Sequence, residues 1–309
     1  MRTRFLSLAL FALSMLPAAC FTADGTSPER PQRIVAFADV HGDLDVTRRA
    51  LRLAGAIDER DAWIGEDLIV VQTGDQLDRG DDEQEILELL ARLGVEAEAA
   101  GGAVHVLLGN HELMNVAGDY RYVTPGGFAD FEGAVEFDPA DPDLVELEPL
   151  HRVRAAAFRP GGPFALLLAE HEVILVIEDS VFVHGGLHPE HVEYGVERIN
   201  AETRAWLRGE GERPAILGGP QSPVWSRLYS YEPDEEAAST LAETLDMLGA
   251  ERLVVGHTVQ RSGIQNLCDG NVWCIDVGLA SHYGGPLEVL LIEGDEVSIL
   301  REAQVVVPR

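Results

Sequence analysis

Three short apolar runs within the first 108 residues are each followed, one to three positions later, by a polar residue that can bind a metal ion. The runs cover residues 33–38, 67–72 and 103–108, and stretches with helical spacing separate them at residues 44–53 and 82–100. Alternation of buried strands with helices predicts an α/β fold with parallel strands. In such folds, functional groups collect at the carboxyl ends of the strands.

The second half of the chain is richer in strands. Apolar runs predict strands at residues 172–177, 181–183, 252–255, 263–267, 271–276, 287–292 and 297–300. Helical spacing returns at residues 201–207 and 235–248. We therefore expect one domain over residues 33–309, built from two sheets that pack face to face with helices outside.

Five short segments carry side chains that suit divalent metals. They are Ala-Asp-Val-His-Gly at 38–42, Gly-Asp-Gln-Leu-Asp-Arg-Gly at 74–80, Gly-Asn-His-Glu at 109–112, His-Gly-Gly at 184–186 and Gly-His-Thr at 256–258. The candidate ligands in them are Asp39, His41, Asp75, Asn110, His184 and His257. Carboxylate, amide and imidazole donors suit manganese, zinc or iron. The set is large enough for two ions bridged by Asp75, which would hold a hydroxide for attack on phosphorus.

Other polar residues of these segments suit proton transfer and phosphate binding. His111 follows Asn110 and is not needed as a ligand, so we expect it to protonate the leaving oxygen, with Asp78 fixing its tautomer. Arg79 offers a fork of donors to phosphate oxygens, and Arg227 is the candidate for a second cation. The alternatives are structural: a hydrogen bond within the histidine–aspartate pair, or a surface ion pair at either arginine.

The order of these motifs resembles that of the calcineurin-like metallophosphoesterases, in their phosphoprotein phosphatase branch. Further segments resemble the Shewanella-like protein phosphatases: Gly-Asn-His-Glu-Leu-Met-Asn at 109–115, Gly-Asp-Tyr-Arg-Tyr-Val at 118–123, Val-Trp-Ser-Arg at 224–227, and Asp-Val-Gly with Tyr-Gly-Gly within 276–285. The similarity runs from about Ile34 to Ile292. Ala38 departs from the glycine usual before the first aspartate, and we expect a modest backbone adjustment there without loss of metal.

The resemblance implies a four-layer α/β/β/α sandwich of two mixed sheets flanked by helices. It implies the roles given above, a phosphate contact by Asn110 besides its metal bond, and Tyr283 as a candidate substrate contact, with core packing as the alternative. It further implies a protein phosphatase biased toward phosphotyrosine. Two alternatives stay open: a small-molecule phosphoesterase, such as a dinucleotide polyphosphate hydrolase or nucleotidase, and a non-catalytic scaffold.

The charge of the chain limits its partners. The net charge is −30, from 23 basic and 53 acidic residues, and every basic residue is an arginine because the sequence contains no lysine. This excludes a Walker lysine and a Schiff-base lysine. An acidic surface argues against nucleic acid as a partner. We expect a monomer whose partner is a phosphoprotein or a small phosphoester.

The segment 118–162 lacks clear periodicity. It carries eight carboxylates between Asp130 and Glu148 and no basic residue in that span. We interpret it as an excursion that covers one side of the site, with a solvated surface loop as the alternative. Whether it acts as a lid stays open.

Residues 1–20 have the features of an export leader. Two arginines precede an apolar run at residues 5–16 that is too short for a stable membrane anchor. Small residues before Cys20 predict lipidation of that cysteine, with ordinary cleavage or an uncleaved segment as alternatives. Residues 21–32 form a polar tether. We expect an exported protein, periplasmic or on the outer surface, held at a bacterial membrane only by its lipid.

Cys268 and Cys274 flank Asp269-Gly270-Asn271, which is a hairpin turn signal. An oxidising compartment would allow a disulfide across that hairpin. The alternative is two inert buried thiols.

Overall fold

The computed structural model describes residues 32–302. Its strands are β1 (Arg33–Phe37), β2 (Ile69–Gln72), β3 (Ala103–Val106), β4 (Ile174–Ile177), β5 (Ser180–Val183), β6 (Arg252–Val255), β7 (Gln265–Leu267), β8 (Val272–Cys274), β9 (Glu288–Glu293) and β10 (Glu296–Arg301). Its α-helices are α1 (Leu44–Leu53), α2 (Glu83–Ala100), α3 (Asn110–Val116), α4 (Pro125–Asp130), α5 (Pro149–Phe158), α6 (Pro163–Leu168), α7 (Pro189–Tyr194), α8 (Val196–Leu207) and α9 (Glu235–Leu248).

The export leader, its Cys20 and all but the last residue of the tether lie outside the described residues, so these assignments stay predictions. Between residues 32 and 302, none of the helices has the length and apolar character needed to cross a bilayer.

The strands form two five-stranded mixed sheets, with the orders β10-β9-β1-β2-β3 and β4-β5-β6-β8-β7. In the first sheet β1, β2 and β3 are parallel, and in the second β5, β6 and β8 are parallel. In the first sheet β9 pairs antiparallel with β1, and β10 pairs antiparallel with β9. In the second sheet β4 and β7 pair antiparallel with β5 and β8. Each sheet therefore contains three adjacent parallel strands whose carboxyl ends lie on the same side of the sheet.

Alternate residues of the second sheet enter two different cores. Phe182 and Val254 belong to the buried cluster that contains β1, α1 and α2. Their neighbours Val181 and Leu253 belong to a second cluster, which includes Leu241 of α9. The second sheet is therefore covered by the first sheet on one face and by helices on the other, as expected for the α/β/β/α sandwich. Because both faces of its strands are covered, they read as continuous apolar runs rather than alternating ones.

The segment 118–162 is not simply a solvated loop. It contains α4 and α5, and a small cluster of Leu144, Ala155 and Ala156 is buried beneath Tyr120 and Phe137. Its acidic stretch is mostly exposed. The periodicity is hard to recognise because α4 has six residues and α5 is rich in alanine.

Cys268 and Cys274 are both free thiols in the structure, so the disulfide alternative is not supported. The hairpin that they flank is formed, with β7 antiparallel to β8. Cys274 is fully buried, and burial raises the pKa of its thiol to about 12. It is therefore protonated and inert at neutral pH.

Candidate metal centre and active site

The candidate metal ligands follow the carboxyl ends of parallel strands from both sheets. Asp39 and Asp75 come after β1 and β2, Asn110 begins α3 after β3, and His184 and His257 come after β5 and β6. All five side chains are buried. The two sheets bring residues 218 positions apart into contact, since the N–H of His257 donates to Oδ1 of Asp39 at 3.2 Å.

Asp75 lies at the centre of this cluster. Its Oδ2 is 3.2 Å from Nε2 of His184, 3.7 Å from Nε2 of His111 and 3.9 Å from Nε2 of His41. The possible ligand atoms fall into two groups that share Asp75, one with His41 and His111 and one with His184 and His257. A carboxylate shared by two groups of donors is what a bridging ligand requires.

The backbone fixes which ring nitrogen of two histidines faces the cluster. Nδ1 of His41 is 3.0 Å from the carbonyl of Leu77, and Nδ1 of His184 is 2.9 Å from the carbonyl of Thr73. Because a carbonyl can only accept, each Nδ1 carries a proton and each Nε2 is turned toward Asp75. Metal-binding histidines are oriented in this way by their second nitrogen.

Nε2 of His257 is buried and has no hydrogen-bond partner among residues 32–302. An orphaned buried nitrogen is costly unless something binds it. Burial lowers the pKa of His257 to about 2, so its ring is neutral and offers a lone pair. The donor set and this open nitrogen fit a divalent cation.

The charges of the cluster also fit a cation. Burial lowers the pKa of His41 to about 3. Burial acts in the same direction on His184, but the carboxylates of Asp75 and Asp39 outweigh it and raise its pKa to about 10. Burial would raise the pKa of Asp75, but His184 and His111 hold it well below its usual range. A metal ion would take the place of the His184 proton between these groups.

Three ligands have backbone conformations that are rare for residues other than glycine. The φ angles are 42° at His41, 58° at Asp75 and 65° at His257. Such conformations cost about 1 kcal/mol or more each and persist where the surroundings hold them. Around Asp75 the backbone is held by Glu112. Its carboxylate accepts the N–H groups of Asp75 and Gly109 at 2.8 Å each, and also those of residues 76 and 77. Glu112 therefore stabilises the backbone conformation of the loop that carries Asp75.

His111 and Asp78 form a buried pair beside the cluster, with Nδ1 of His111 2.5 Å from Oδ2 of Asp78. The side chain of Asn115 donates to the other carboxylate oxygen at 3.0 Å. Burial would lower the pKa of His111, but Asp75 and Asp78 outweigh it and raise it. The ring thus holds a proton readily, and its Nε2 faces the cluster.

The two arginines and Tyr283 share a cavity of about 330 Å³ with the metal ligands. Nη1 of Arg79 donates to Nε2 of His41 at 2.8 Å and to the hydroxyl of Tyr283. Arg227 donates to the carbonyl of His257 at 3.0 Å and to the hydroxyl of Thr258 at 2.9 Å. Among the residues predicted from the sequence in the described part of the chain, the cavity is lined by Asp39, Asp75, Arg79, Asn110, His111, Arg227, His257 and Tyr283. The other three, His41, Asp78 and His184, do not line it but contact Arg79, His111 and Asn110, respectively.

Sequence reasoning missed several residues of this site. Tyr122, Trp225, Tyr231 and Arg261 also line the cavity. Asp276 follows β8 and is buried, and its Oδ2 has no hydrogen-bond partner in the described part of the chain. Burial raises its pKa to about 6. Its position at the end of a predicted strand was a signal that could have revealed it.

Gly109 is constrained by its contact with Asp75, and we expect Gly109→Ala to disturb the metal centre. A Cβ atom there would lie 2.1 Å from Oδ1 of Asp75 and 2.5 Å from its backbone nitrogen. Something must shift, so we expect kcat and metal affinity to fall by about 10-fold or more. Gly94→Ala is the control, because its Cβ would meet only one atom, at 4.0 Å. Metal content and kcat equal to wild type in Gly109→Ala would contradict this account.

Comparison with known proteins agrees with this geometry. The sequence profile of the family described as calcineurin-like phosphoesterase matches residues 32–261. Shewanella-like protein phosphatase 2 of Arabidopsis thaliana is 41% identical over 301 residues, covering 86% of this chain and 76% of that protein. The solved structure of a cold-active protein-tyrosine phosphatase from a psychrophilic Shewanella species is 27% identical, with a TM-score of 0.70, covering 88% of this chain and 81% of that one.

The fold and the cluster define a metal-dependent phosphatase, a hydrolase of phosphoric esters. The chain belongs to the calcineurin-like phosphoesterases and, within them, to the Shewanella-like protein phosphatases. The family resemblance and the sandwich fold expected from the sequence are thereby confirmed.

Proposed function

We propose that this protein is a dinuclear-metal phosphomonoesterase that acts on phosphoproteins and favours phosphotyrosine. The observation that carries the proposal is the sharing of Asp75 between two groups of donor atoms. Two divalent ions, manganese, iron or zinc, would supply activation of a water molecule for attack on phosphorus. The residues that would hold them are Asp39, His41, Asp75, Asn110, His184 and His257.

The chain itself supplies charge and a proton. The guanidinium groups of Arg79 and Arg227 line the cavity, where they balance the charge that spreads over the phosphate oxygens in the transition state. His111 holds a proton at Nε2 on the cavity side, and Asp78 keeps Nδ1 protonated. The leaving oxygen takes the Nε2 proton as its bond to phosphorus breaks.

Aromatic rings around Arg79 support the preference for phosphotyrosine. The rings of Tyr122 and Tyr283 each lie 5.2 Å from the guanidinium carbon of Arg79, and Trp225 and Tyr231 line the same cavity. A phenyl ring next to the phosphate can pack on such walls, whereas the short side chain of phosphoserine cannot reach them. The similar Shewanella enzyme is named as a protein-tyrosine phosphatase, which supports the same substrate class.

A panel of matched substrates tests this proposal. We expect kcat/KM for a phosphotyrosine peptide to exceed that for the same peptide with phosphoserine by about 10-fold or more, because a lost ring contact weakens transition-state binding by that order. In a Tyr122→Ala variant, we expect a smaller ratio of kcat/KM for the phosphotyrosine peptide to kcat/KM for the phosphoserine peptide. Diadenosine tetraphosphate represents the alternative of a small-molecule phosphoesterase. If it were the better substrate, or if the two peptides reacted equally, the proposed substrate class would be wrong.

A further inference from the structure

We propose that Arg154, in helix α5 of the segment 118–162, is a positioning residue for the Asp78–His111 pair. The segment 118–162 then contributes to catalysis and does more than cover one side of the active site. The inference rests on the proposed function, because it assigns the effect of Arg154 to protonation of the leaving group.

Arg154 is completely buried and divides its donors among four partners. Its Nε donates to Oδ1 of Asn115 at 2.7 Å, and its Nη1 donates to the carbonyl of Gly127 at 2.9 Å. Nη1 also forms an ion pair with Glu83 at 2.6 Å, and Nη2 lies 3.4 Å from Oδ1 of Asp78. A planar guanidinium can satisfy such a set at once, and a lysine ammonium cannot.

Through these contacts Arg154 acts on Asp78, and thereby on His111, in two ways. Directly, the charge of Arg154 holds Oδ1 of Asp78, which leaves Oδ2 for Nδ1 of His111. Indirectly, donation to Oδ1 of Asn115 turns the amide nitrogen of Asn115 toward Asp78, at 3.0 Å, and toward the carbonyl of His111, at 2.9 Å. Arg154 therefore fixes both the amide and the carboxylate that orient the imidazole.

The same segment holds the strained turn that carries Asp78 and Arg79, whose φ angles are 68° and 67°. The N–H of Asp78 donates to Glu83 at 2.7 Å, and Glu83 is held by Arg154. The N–H of Arg79 donates to the carbonyl of Tyr122 at 3.0 Å. Backbone strain of this kind persists only where neighbours enforce it, and two of the enforcing groups come from the segment.

The surroundings of Arg154 show why its charge matters. Three phenylalanine rings, of Phe128, Phe131 and Phe158, lie 5.1 to 5.9 Å from its guanidinium carbon and exclude water. Burial raises the pKa of Glu83 to about 7, against the opposing effect of Arg154. Loss of Arg154 alone would leave the buried carboxyl of Glu83 without its counter-charge and would remove one of the two partners of Asp78, which strongly destabilises a fold.

The test must therefore separate positioning from stability. In the double variant Arg154→Met with Glu83→Gln, one positive and one negative charge are removed together, and the glutamine oxygen can still accept the N–H of Asp78. Arg154→Lys keeps the positive charge, and it is used in place of the double variant if the double variant does not fold. Arg159→Met is the matched control, because Arg159 follows the same helix and, among residues 32–302, pairs only with Asp141, at 2.7 Å.

The measurement compares two aryl phosphates. Phenolate is a poor leaving group that needs a proton, whereas 2,4-dinitrophenolate leaves without one. For the double variant we expect kcat on phenyl phosphate to fall by about 10- to 100-fold, and kcat on 2,4-dinitrophenyl phosphate to change by less than about 3-fold. KM should change by less than about 3-fold on both esters. We expect a smaller selective loss for Arg154→Lys and none for Arg159→Met.

A role in stability alone predicts a different pattern. Losses of equal size on both esters, or wild-type rates on both in a folded variant, would overturn the inference. His111→Asn distinguishes this failure from failure of the proposed function. If His111→Asn shows the selective loss and the Arg154 variants do not, only the role of Arg154 is wrong. If His111→Asn shows no selective loss, the proposed mechanism fails, and the inference fails with it.

Discussion

Replacing His111 with asparagine is expected to lower kcat on phenyl phosphate by about 10²- to 10⁴-fold, the usual contribution of a general acid. The reason is that the imidazole between Asp78 and the cavity holds the proton that phenolate needs when it leaves. Hydrolysis of 2,4-dinitrophenyl phosphate should be much less affected, and the metal content should not change. Steady-state kinetics on both esters, with elemental analysis of the purified variant, test the prediction.

His111 is also close enough to Asp75 to be considered as a metal ligand, since Nε2 is 3.7 Å from Oδ2. A ligand role predicts a different result: His111→Asn would lose metal, and both esters would be hydrolysed more slowly to the same extent. His105→Asn serves as the control, because His105 lies in β3 and lines a different cavity. That variant should keep the wild-type rate on both substrates.

Asp75→Asn is expected to cause the second large effect, by removing the charge at the centre of the cluster. The amide keeps the shape of the carboxylate but carries no negative charge with which to bridge two cations. The protein should therefore bind fewer metal ions. We expect kcat to fall by about 100-fold or more, at or beyond the upper end of the losses seen when supporting groups of metal sites are removed. Elemental analysis after dialysis and kcat on an aryl phosphate measure the two effects.

Asp234→Asn is the matched control for Asp75→Asn. Asp234 caps helix α9 by accepting the N–H of Ala237 at 2.9 Å, and asparagine caps helices about as well. The control should therefore keep its metal and its activity. Full metal content in Asp75→Asn would show that this carboxylate does not join the two groups of ligands.

The strand-end ligands could be predicted from the sequence because their local signal is strong. A continuous apolar run that stops at an aspartate marks a buried strand and the edge where it ends, as at Asp39 and Asp75. The same logic applies to Asp276 at the end of β8, whose Asp-Val-Gly segment contributed to the family resemblance but was not considered as part of the site. The helices α3, α6 and α7 escaped prediction because six or seven residues are too few to display a helical period.

The contribution of Arg154 could not be predicted from the sequence. Its importance lies in contacts with Asp78, which is 76 positions earlier in the chain, and with Glu83. Within the sequence it is one arginine among 23, next to a stretch that reads as an acidic surface. The prediction that the segment 118–162 covers one side of the site rested on composition alone. In the structure the segment contributes residues to the site itself, since Tyr122 lines the cavity and Arg154 contacts the residue that orients His111.

Titration of the metal-free protein with Mn²⁺ tests the central claim most directly. The protein is stripped with a chelator, and both bound metal and phenyl phosphate hydrolysis are followed as Mn²⁺ is added. We predict that the metal-free protein is inactive and that activity rises until about two equivalents are bound, as expected for a two-metal site. Full activity in the absence of metal, or a plateau of activity at one equivalent, would contradict the account.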